Sequence, residues 1–194
     1  MKKFVSVLMA LVMVLSLAAC GGNNNADASN NDTASATTVA SALEVLETIW
    51  SKYGEDEKFA VIGGNMESPV DGAPGNYDMA YAENLTYNLL VPAESLASVD
   101  EAATMIHMMN ANTFTSGVVH LTEGTDVAAF VQTMREAVQN NQWMCGFPET
   151  LVIAVIDNAY VLVAFGVNDA MTPFQTHLAE AFANADVQVN EAIG

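Results

Sequence analysis

Basic residues are scarce in this chain. Of its 194 residues only 5 are Lys or Arg, against 23 Asp and Glu, and the formal net charge at pH 7 is −18. Beyond Lys2 and Lys3, the positive charges are those of Lys52, Lys58 and Arg135. So few cations cannot displace the counterions of a phosphate backbone, and the surplus of acids repels it. The composition therefore excludes nucleic acid as a partner and offers no basic surface to anionic lipids.

Motifs of the common catalytic machineries are also missing. The sequence has no Gly-x-Ser-x-Gly elbow, Walker loop, calcium loop or His-Glu-x-x-His helix. A zinc site built on His107, His120 or His177 would need carboxylates or Cys145 to complete it. We therefore expect no catalytic residues and no cofactor. The many acids leave a carboxylate-dependent enzyme as an alternative.

A leader segment opens the chain. Met1, Lys2 and Lys3 form a positive start, and the apolar run that follows, 4–19, is too short to span a bilayer as a helix. The run ends in Leu-Ala-Ala directly before Cys20. This arrangement resembles a bacterial lipoprotein signal with its lipobox. The resemblance implies that 1–19 is removed, that Cys20 is the site of lipid attachment, and that the protein faces outside the cytoplasm on the cell membrane.

A tether and a single domain follow the leader. Residues 20–38 are rich in Gly, Asn, Asp, Ser and Thr and, after the cysteine, carry no apolar side chain larger than Ala, which predicts a flexible tether. Over the whole chain 52% of residues are hydrophobic, too many for a disordered protein. We therefore expect one folded domain over 39–194. Removal of the leader would also remove Lys2 and Lys3, and the remaining chain would have a net charge of −20.

Cys145 is expected to be a buried, inert thiol. Its neighbours Trp143, Met144 and Phe147 are large and apolar, and free cysteine is among the most buried residue types. If Cys20 carries lipid, no second thiol remains to form a redox pair with Cys145.

Hydrophobic periodicity predicts three helices and five main strands. Helices are expected over 39–53, after Thr125 with Phe130, Met134 and Val138 buried, and from Thr172-Pro173 with Phe174, Leu178 and Phe182 buried. The strands are predicted at 103–110 (a helix over 102–109 being the alternative), 114–121, 151–156, 160–165 and the edge strand 187–189.

From Phe114 onward the predicted order is strand, helix, strand, strand, helix, strand. This βαββα(β) series is typical of a ferredoxin-like α+β fold, in which both helices lie on one face of the sheet. The second face would then be covered by the first helix and by 55–92, predicted to be a long loop with a short strand at 59–62 and a short helix over 80–90.

The chain as a whole resembles the small lipoproteins of Gram-positive anaerobes, a family of unknown function. The similarity rests on the lipobox, the tether and three segments: Thr113-Phe114-Thr115-Ser116-Gly117, Trp143-Met144-Cys145-Gly146-Phe147-Pro148 and Leu151-Val152-Ile153-Ala154. It implies a location and an α+β fold, and it brings no catalytic residues.

Two clusters are candidate binding groups. On a strand, Met105, His107 and Met109 share one face, and thioether with imidazole suits a soft metal such as Cu(I). Core packing is the favoured interpretation, because Met commonly fills cores and because pairing His107 with Ser116 puts His120 about 13 Å away. The second cluster, Tyr77, Tyr81 and Tyr87, lies in the irregular region and either contacts a ligand or, as we favour, covers the sheet.

The remaining polar candidates favour surface or structural roles. The acidic runs at 55–57 and 100–101 are typical of solvated element ends, and His177 is expected on the buried side of the last helix as a hydrogen-bonded boundary residue. The sequence thus favours a lipid-anchored extracytoplasmic module that binds an unknown protein or small molecule without catalysis. The alternatives are a soft-metal or divalent-cation-binding lipoprotein and a carboxylate-dependent enzyme.

Overall fold

The structure is a computed structural model, and it describes residues 38–109 and 112–194. The leader, Cys20 and the tether up to residue 37 lie outside the described residues, as do two positions of the predicted turn at 110–113. Among the described residues no helix combines the length and the apolar character needed to cross a membrane.

The described chain forms a mixed α+β structure. Its helices are α1 (Ala42–Trp50), α2 (Leu85–Asn88), α3 (Val127–Gln139) and α4 (Asn168–Ala181), with 3-10 turns at Met79–Asn84 and Ala93–Ser98. Its strands are β1 (Val61–Asn65), β2 (Ser68–Asp71), β3 (Gly75–Asn76), β4 (Val99–His107), β5 (Phe114–Leu121), β6 (Thr150–Ile156), β7 (Tyr160–Gly166) and β8 (Asp186–Ala192).

All eight strands belong to one antiparallel sheet. Its order is β2-β1-β4-β5-β7-β6-β8, and the short β3 pairs with β4. The central strands β5 and β7 are buried along nearly their whole length. A strand that is apolar on both sides requires a cover on both faces of the sheet.

Two separate apolar clusters provide these covers. On the first face α1 and α4 pack against side chains such as Met105, Phe114 and Leu162. On the second face α3 and the segment 77–98 pack against side chains such as Val119, Ile153 and Phe165. The domain is therefore three layers deep, with the sheet in the middle.

The ferredoxin-like arrangement is not confirmed. The expected series from β5 to β8 is present, but α3 and α4 lie on opposite faces, and β8 pairs with β6 at the sheet edge while β4 occupies the place beside β5. The connections β5-α3-β6 and β7-α4-β8 each skip one strand in the same lateral direction, although β5 and β7 run in opposite directions. If both have the right-handed sense usual for such connections, their helices must fall on opposite faces.

Several local predictions need correction. Region 55–92 is not one long loop, because β1, β2 and β3 lie within it, and α4 begins at Asn168, a turn before Pro173. The predicted strand at 103–110 is confirmed as part of β4, so the alternative helix over 102–109 is wrong. The predicted register is also wrong, because Ser116 pairs with Met105 instead of His107. The register prediction relied on a tight turn, whereas the observed connection between β4 and β5 is longer.

Other elements agree with the sequence pattern. Helix α1 lies within the predicted range 39–53 and buries Leu46, Ile49 and Trp50, with Ser41 as its N-cap. Helix α3 buries Phe130, Met134 and Val138, and its N-cap is Asp126, which accepts a hydrogen bond from the N–H of Ala129. These helices form where predicted because apolar spacing and caps are local signals.

Both faces of the core should contribute to stability. Met134 (second face) and Met171 (first face) are fully buried, whereas Met66 is 91% exposed. Replacing either buried Met by Ala should lower the free energy of unfolding by about 2–5 kcal/mol, because the change removes apolar contacts and leaves a cavity. Met66→Ala should change it by less than about 0.5 kcal/mol. Urea unfolding followed by circular dichroism measures all three, and an effect confined to one face would contradict the three-layer core.

Candidate functional site

A cleft opens on the second face, between the 77–98 segment and the residues that follow α3. Its volume is about 570 Å³. Its floor is a row of Ile106, Thr115 and Phe165, which are register neighbours on β4, β5 and β7. We call it the aromatic cleft, and it is lined by Thr86, Tyr87, Asn88, Leu90, Ile106, His107, Met109, Thr113, Phe114, Thr115, Asn141, Trp143, Cys145 and Phe165.

One wall of the aromatic cleft is helix α2 and the residues after it. Leu85 and Leu89 are fully buried and fix α2 to the sheet. Leu89 sits directly over Gly117 of β5, where an added Cβ would come within 2.6 Å of the Leu89 side chain. The absence of a side chain at Gly117 therefore lets α2 approach the sheet closely. Tyr87 then points outward and is 81% exposed.

The chain leaves α2 through a strained residue. Leu90 lines the cleft and has φ 61°, in the left-handed region that bulky side chains rarely adopt. Such a conformation costs on the order of 1 kcal/mol and persists only where its surroundings enforce it. Beside it, the Asn88 side chain donates a hydrogen bond of 2.9 Å to the Tyr77 hydroxyl. This wall is held in place by its own packing and hydrogen bonding.

The opposite wall is the connection from α3 to β6. Trp143 packs on Phe165 with ring centroids 5.4 Å apart and an interplanar angle of 53°. Its indole Nε1 is buried and has no hydrogen-bond partner. A buried donor without an acceptor costs about 1–3 kcal/mol, so this wall carries an unused hydrogen-bonding group.

The prediction that the Cys145 thiol is buried is wrong. Its side chain is exposed and lines the aromatic cleft. Trp143 occupies the apolar contact with the sheet, and the residues after it turn to the surface. Met144 and Phe147 are 86% and 67% exposed. Trp143 is partly buried, so the apolar neighbours of Cys145 do not bury its thiol.

His107 stands at the rim, at the end of β4. Its ring stacks on Phe59 with centroids 5.0 Å apart and nearly parallel planes, and its Nδ1 accepts a 2.9 Å hydrogen bond from the N–H of Met109. Burial lowers the pKa of His107 below its ordinary value of 6.5. At neutral pH the ring is therefore uncharged.

The lining of the aromatic cleft carries no Asp, Glu, Lys or Arg. Every acidic residue that the structure describes therefore lies outside this lining, in a chain that has 23 acids. Apolar and aromatic surface is combined with the amide and hydroxyl groups of Asn88, Asn141 and Thr115. Such a lining suits a ligand that combines apolar or aromatic surface with several hydrogen-bonding groups.

The structure separates the predicted soft-metal residues by environment. Met105 is fully buried in the first-face core, as the packing interpretation expected, whereas His107 and Met109 line the aromatic cleft. His120 instead pairs with Asp100 near the start of β4. Within 38–109 and 112–194, no group of three or more His, Cys, Asp or Glu side chains is arranged to hold a metal ion.

The three tyrosines divide between the two roles considered. Tyr77 is buried in the second-face core, Tyr81 is 37% exposed, and Tyr87 lines the cleft. His177 lies on the buried side of α4, as expected, with Nδ1 3.0 Å from Glu180 and its ring packed on Tyr53. Its Nε2 is buried without a hydrogen-bond partner, so the expected hydrogen bonding is present at one nitrogen.

Carboxylates occupy solvated positions. Among the described residues no Asp or Glu side chain falls in the buried class. Hydrogen bonds from Lys58 and from Arg135 hold the pKa values of Glu55 and Glu191, respectively, below their usual range. A general acid needs the opposite shift.

Comparison with known proteins gives no relative: no family model matches the chain, and no similar protein is found among curated proteins or solved structures. The aromatic cleft is therefore interpreted from its own geometry.

Acid should weaken the fold through His107. Because its folded-state pKa is lowered, the unfolded chain binds a proton first as the pH falls below 6.5, so stability decreases there until the folded pKa is reached. His107→Phe keeps an aromatic ring on Phe59 and removes this proton. The stability of the variant relative to the parent should rise between pH 7.5 and about 5, measured by urea unfolding. A constant difference across that range would contradict the assignment.

Proposed function

We propose that this protein is a lipid-anchored extracytoplasmic module that binds a ligand in the aromatic cleft without catalysis. The observation that carries the proposal is a preformed, charge-free cleft with an outward-facing Tyr87 and an accessible Trp143 segment. About half of the lining residues are apolar or aromatic, and most of the others carry hydroxyl, amide or imidazole groups. Ligand sites of this size combine both kinds of surface. The leader that resembles a lipoprotein signal supports the anchor and the cell-membrane location.

Absence of carboxylates from the lining supports binding over carboxylate-dependent catalysis. Hydrolysis by paired acids needs two carboxyl groups at the substrate, one with a raised pKa. The cleft offers His107, Tyr87 and Cys145 as its ionisable side chains. The proposal therefore assigns it a ligand and no reaction.

Binding is tested with N-acetyl-phenylalaninamide, a neutral aromatic probe with amide hydrogen-bonding groups. The full chain carrying Cys20→Ser has Cys145 as its single thiol, and Trp50→Phe leaves Trp143 as its single indole. Saturable quenching or shift of Trp143 emission and protection of Cys145 from a maleimide should occur together. Tyr87→Ala should weaken both by about fivefold or more, since truncating an aromatic contact commonly costs over 1 kcal/mol.

Tyr81→Ala is the matched control for that experiment. Tyr81 lies in the 3-10 turn Met79–Asn84 before α2 and does not line the cleft. Its affinity should equal that of the parent. Absence of saturable binding, or equal losses in the two variants, would refute the aromatic cleft as the site.

The anchor is tested by Cys20→Ala in a bacterial host. Two acyl chains hold a protein on a membrane stably, and neither can attach without the sulfur and the processing that follows it. The variant should therefore appear unprocessed or in the soluble fraction, whereas the parent should sediment with membranes and show the mass of a lipidated amino terminus. A processed variant that still sediments with membranes would refute lipid anchoring at Cys20.

Soft-metal binding is the second candidate function, and one observation favours it. His107, Met109 and the exposed Cys145 line the same cleft, and imidazole, thioether and thiolate are the ligands that Cu(I) selects. Competition with a chromophoric Cu(I) chelator should then give one tight equivalent in the Cys20→Ser chain. Cys145→Ser should lower the affinity at least about tenfold, with Met66→Leu as the neutral control. Binding that survives Cys145→Ser unchanged would exclude this site.

A further inference from the structure

Exposed apolar side chains gather around the mouth of the aromatic cleft. Nine large hydrophobic side chains are exposed among the described residues, and five of them belong to the segments that form the cleft walls and rim. These five are Tyr87, Met108, Met109, Met144 and Phe147. Clustered exposure of this kind marks an interaction surface, whereas single exposed apolar residues do not.

We call these five side chains the apolar rim. They cover a wider area than a small ligand inside the cleft would contact. Met108, Met144 and Phe147 belong to the same segments as the lining residues but lie outside the lining itself. A ligand that fills about 570 Å³ would leave these side chains in water. A polypeptide segment that inserts one side chain and runs across the rim would cover them. Methionine suits such a surface, because its flexible thioether adapts to different apolar partners.

Three acidic residues adjoin this apolar surface. Glu83 precedes Tyr87 by one helical turn, and its carbonyl accepts a hydrogen bond from the Thr86 hydroxyl. Glu149 follows Phe147 and accepts a hydrogen bond from the N–H of Asn168. Asp169 lines a smaller cavity that shares His107 with the aromatic cleft. All three side chains belong to exposed residues.

Lys58 precedes Phe59, whose ring stacks on His107 at the rim, and it is already paired with an acid. The basic side chains of the described residues are Lys52, Lys58 and Arg135. Lys58 pairs with Glu55, and Arg135 pairs with Glu191 on β8. None of the three lines the cleft. A partner therefore meets an uncharged apolar centre inside an acidic border.

We propose, resting on the aromatic cleft as the binding site, that its ligand is a basic amphipathic peptide segment. An aromatic or aliphatic side chain of that segment enters the cleft, and Lys or Arg residues on either side face Glu83, Glu149 and Asp169. Complementary charge speeds association and rejects partners of the wrong sign, while the buried anchor provides most of the affinity. Acidic segments are excluded by the net charge of the chain.

The test compares three peptides with the same Phe-Leu-Phe centre, flanked by Lys pairs, Glu pairs or Ser pairs. Trp143 emission and Cys145 protection are followed in the full chain with Cys20→Ser and Trp50→Phe. At low salt the Lys peptide should bind about tenfold more tightly than the Ser peptide, and the Glu peptide more weakly than both. The advantage of the Lys peptide should shrink as salt rises to about 0.3 M, because the Debye length falls well below 10 Å.

Two charge variants locate the effect. Glu83→Gln with Glu149→Gln and Asp169→Asn should remove most of the Lys-peptide advantage. Glu47→Gln with Glu123→Gln and Asp186→Asn removes the same number of charges at exposed positions outside the segments that line the cleft, and should leave most of that advantage. Equal effects of the two triple variants, or binding of the Lys peptide that is insensitive to Tyr87→Ala, would show unspecific attraction and overturn the proposal.

The outcomes separate this inference from the proposed function. If the neutral probe and all three peptides bind equally well, the aromatic cleft is a binding site and the basic partner is wrong. If no peptide and no probe binds, both fail. A third outcome is a shift of Trp143 emission with neutral phosphatidylcholine vesicles that depends on Met144 and occurs without peptide binding. It would show that the rim inserts into lipid, and it would also overturn the proposal of a peptide ligand.

Discussion

The need to cover two apolar faces of one sheet governs this structure. Strands β5 and β7 are buried on both sides, so neither face can remain in water. Two helices cover the first face, whereas the second face is covered by α3 and by the irregular 77–98 segment. Every other feature of the domain, including its candidate site, depends on how these unequal covers meet the sheet.

The aromatic cleft lies where the two covers of the second face do not meet. Helix α3 and the irregular 77–98 segment leave a gap over the row Ile106, Thr115 and Phe165. Gly117 allows α2 to pack closely on one side, and Trp143 closes the other. The site is thus a consequence of packing, and its walls belong to segments that hold themselves in place.

Charge is distributed so that the acids stay in water. No described Asp or Glu is buried, and the cleft lining has none, although acids outnumber basic residues by more than four to one. Burying an unpaired carboxylate is expensive, and with so few cations the chain has little means to pair one. An uncharged cleft follows from this constraint, and the acids near it are the basis of the charge selectivity that we propose.

The sequence determined the charge, the resemblance to a lipoprotein signal, the helices over α1 and α3, and the strands β5, β6 and β7, because caps and apolar spacing are local properties of the chain. Only the tertiary structure decided that α3 and α4 lie on opposite faces, since the face depends on the direction and lateral step of each connection. It likewise decided that Cys145 is exposed and that Tyr87, His107 and Trp143 surround one cleft. Their proximity comes from strand pairing between distant segments, which no short window of sequence contains.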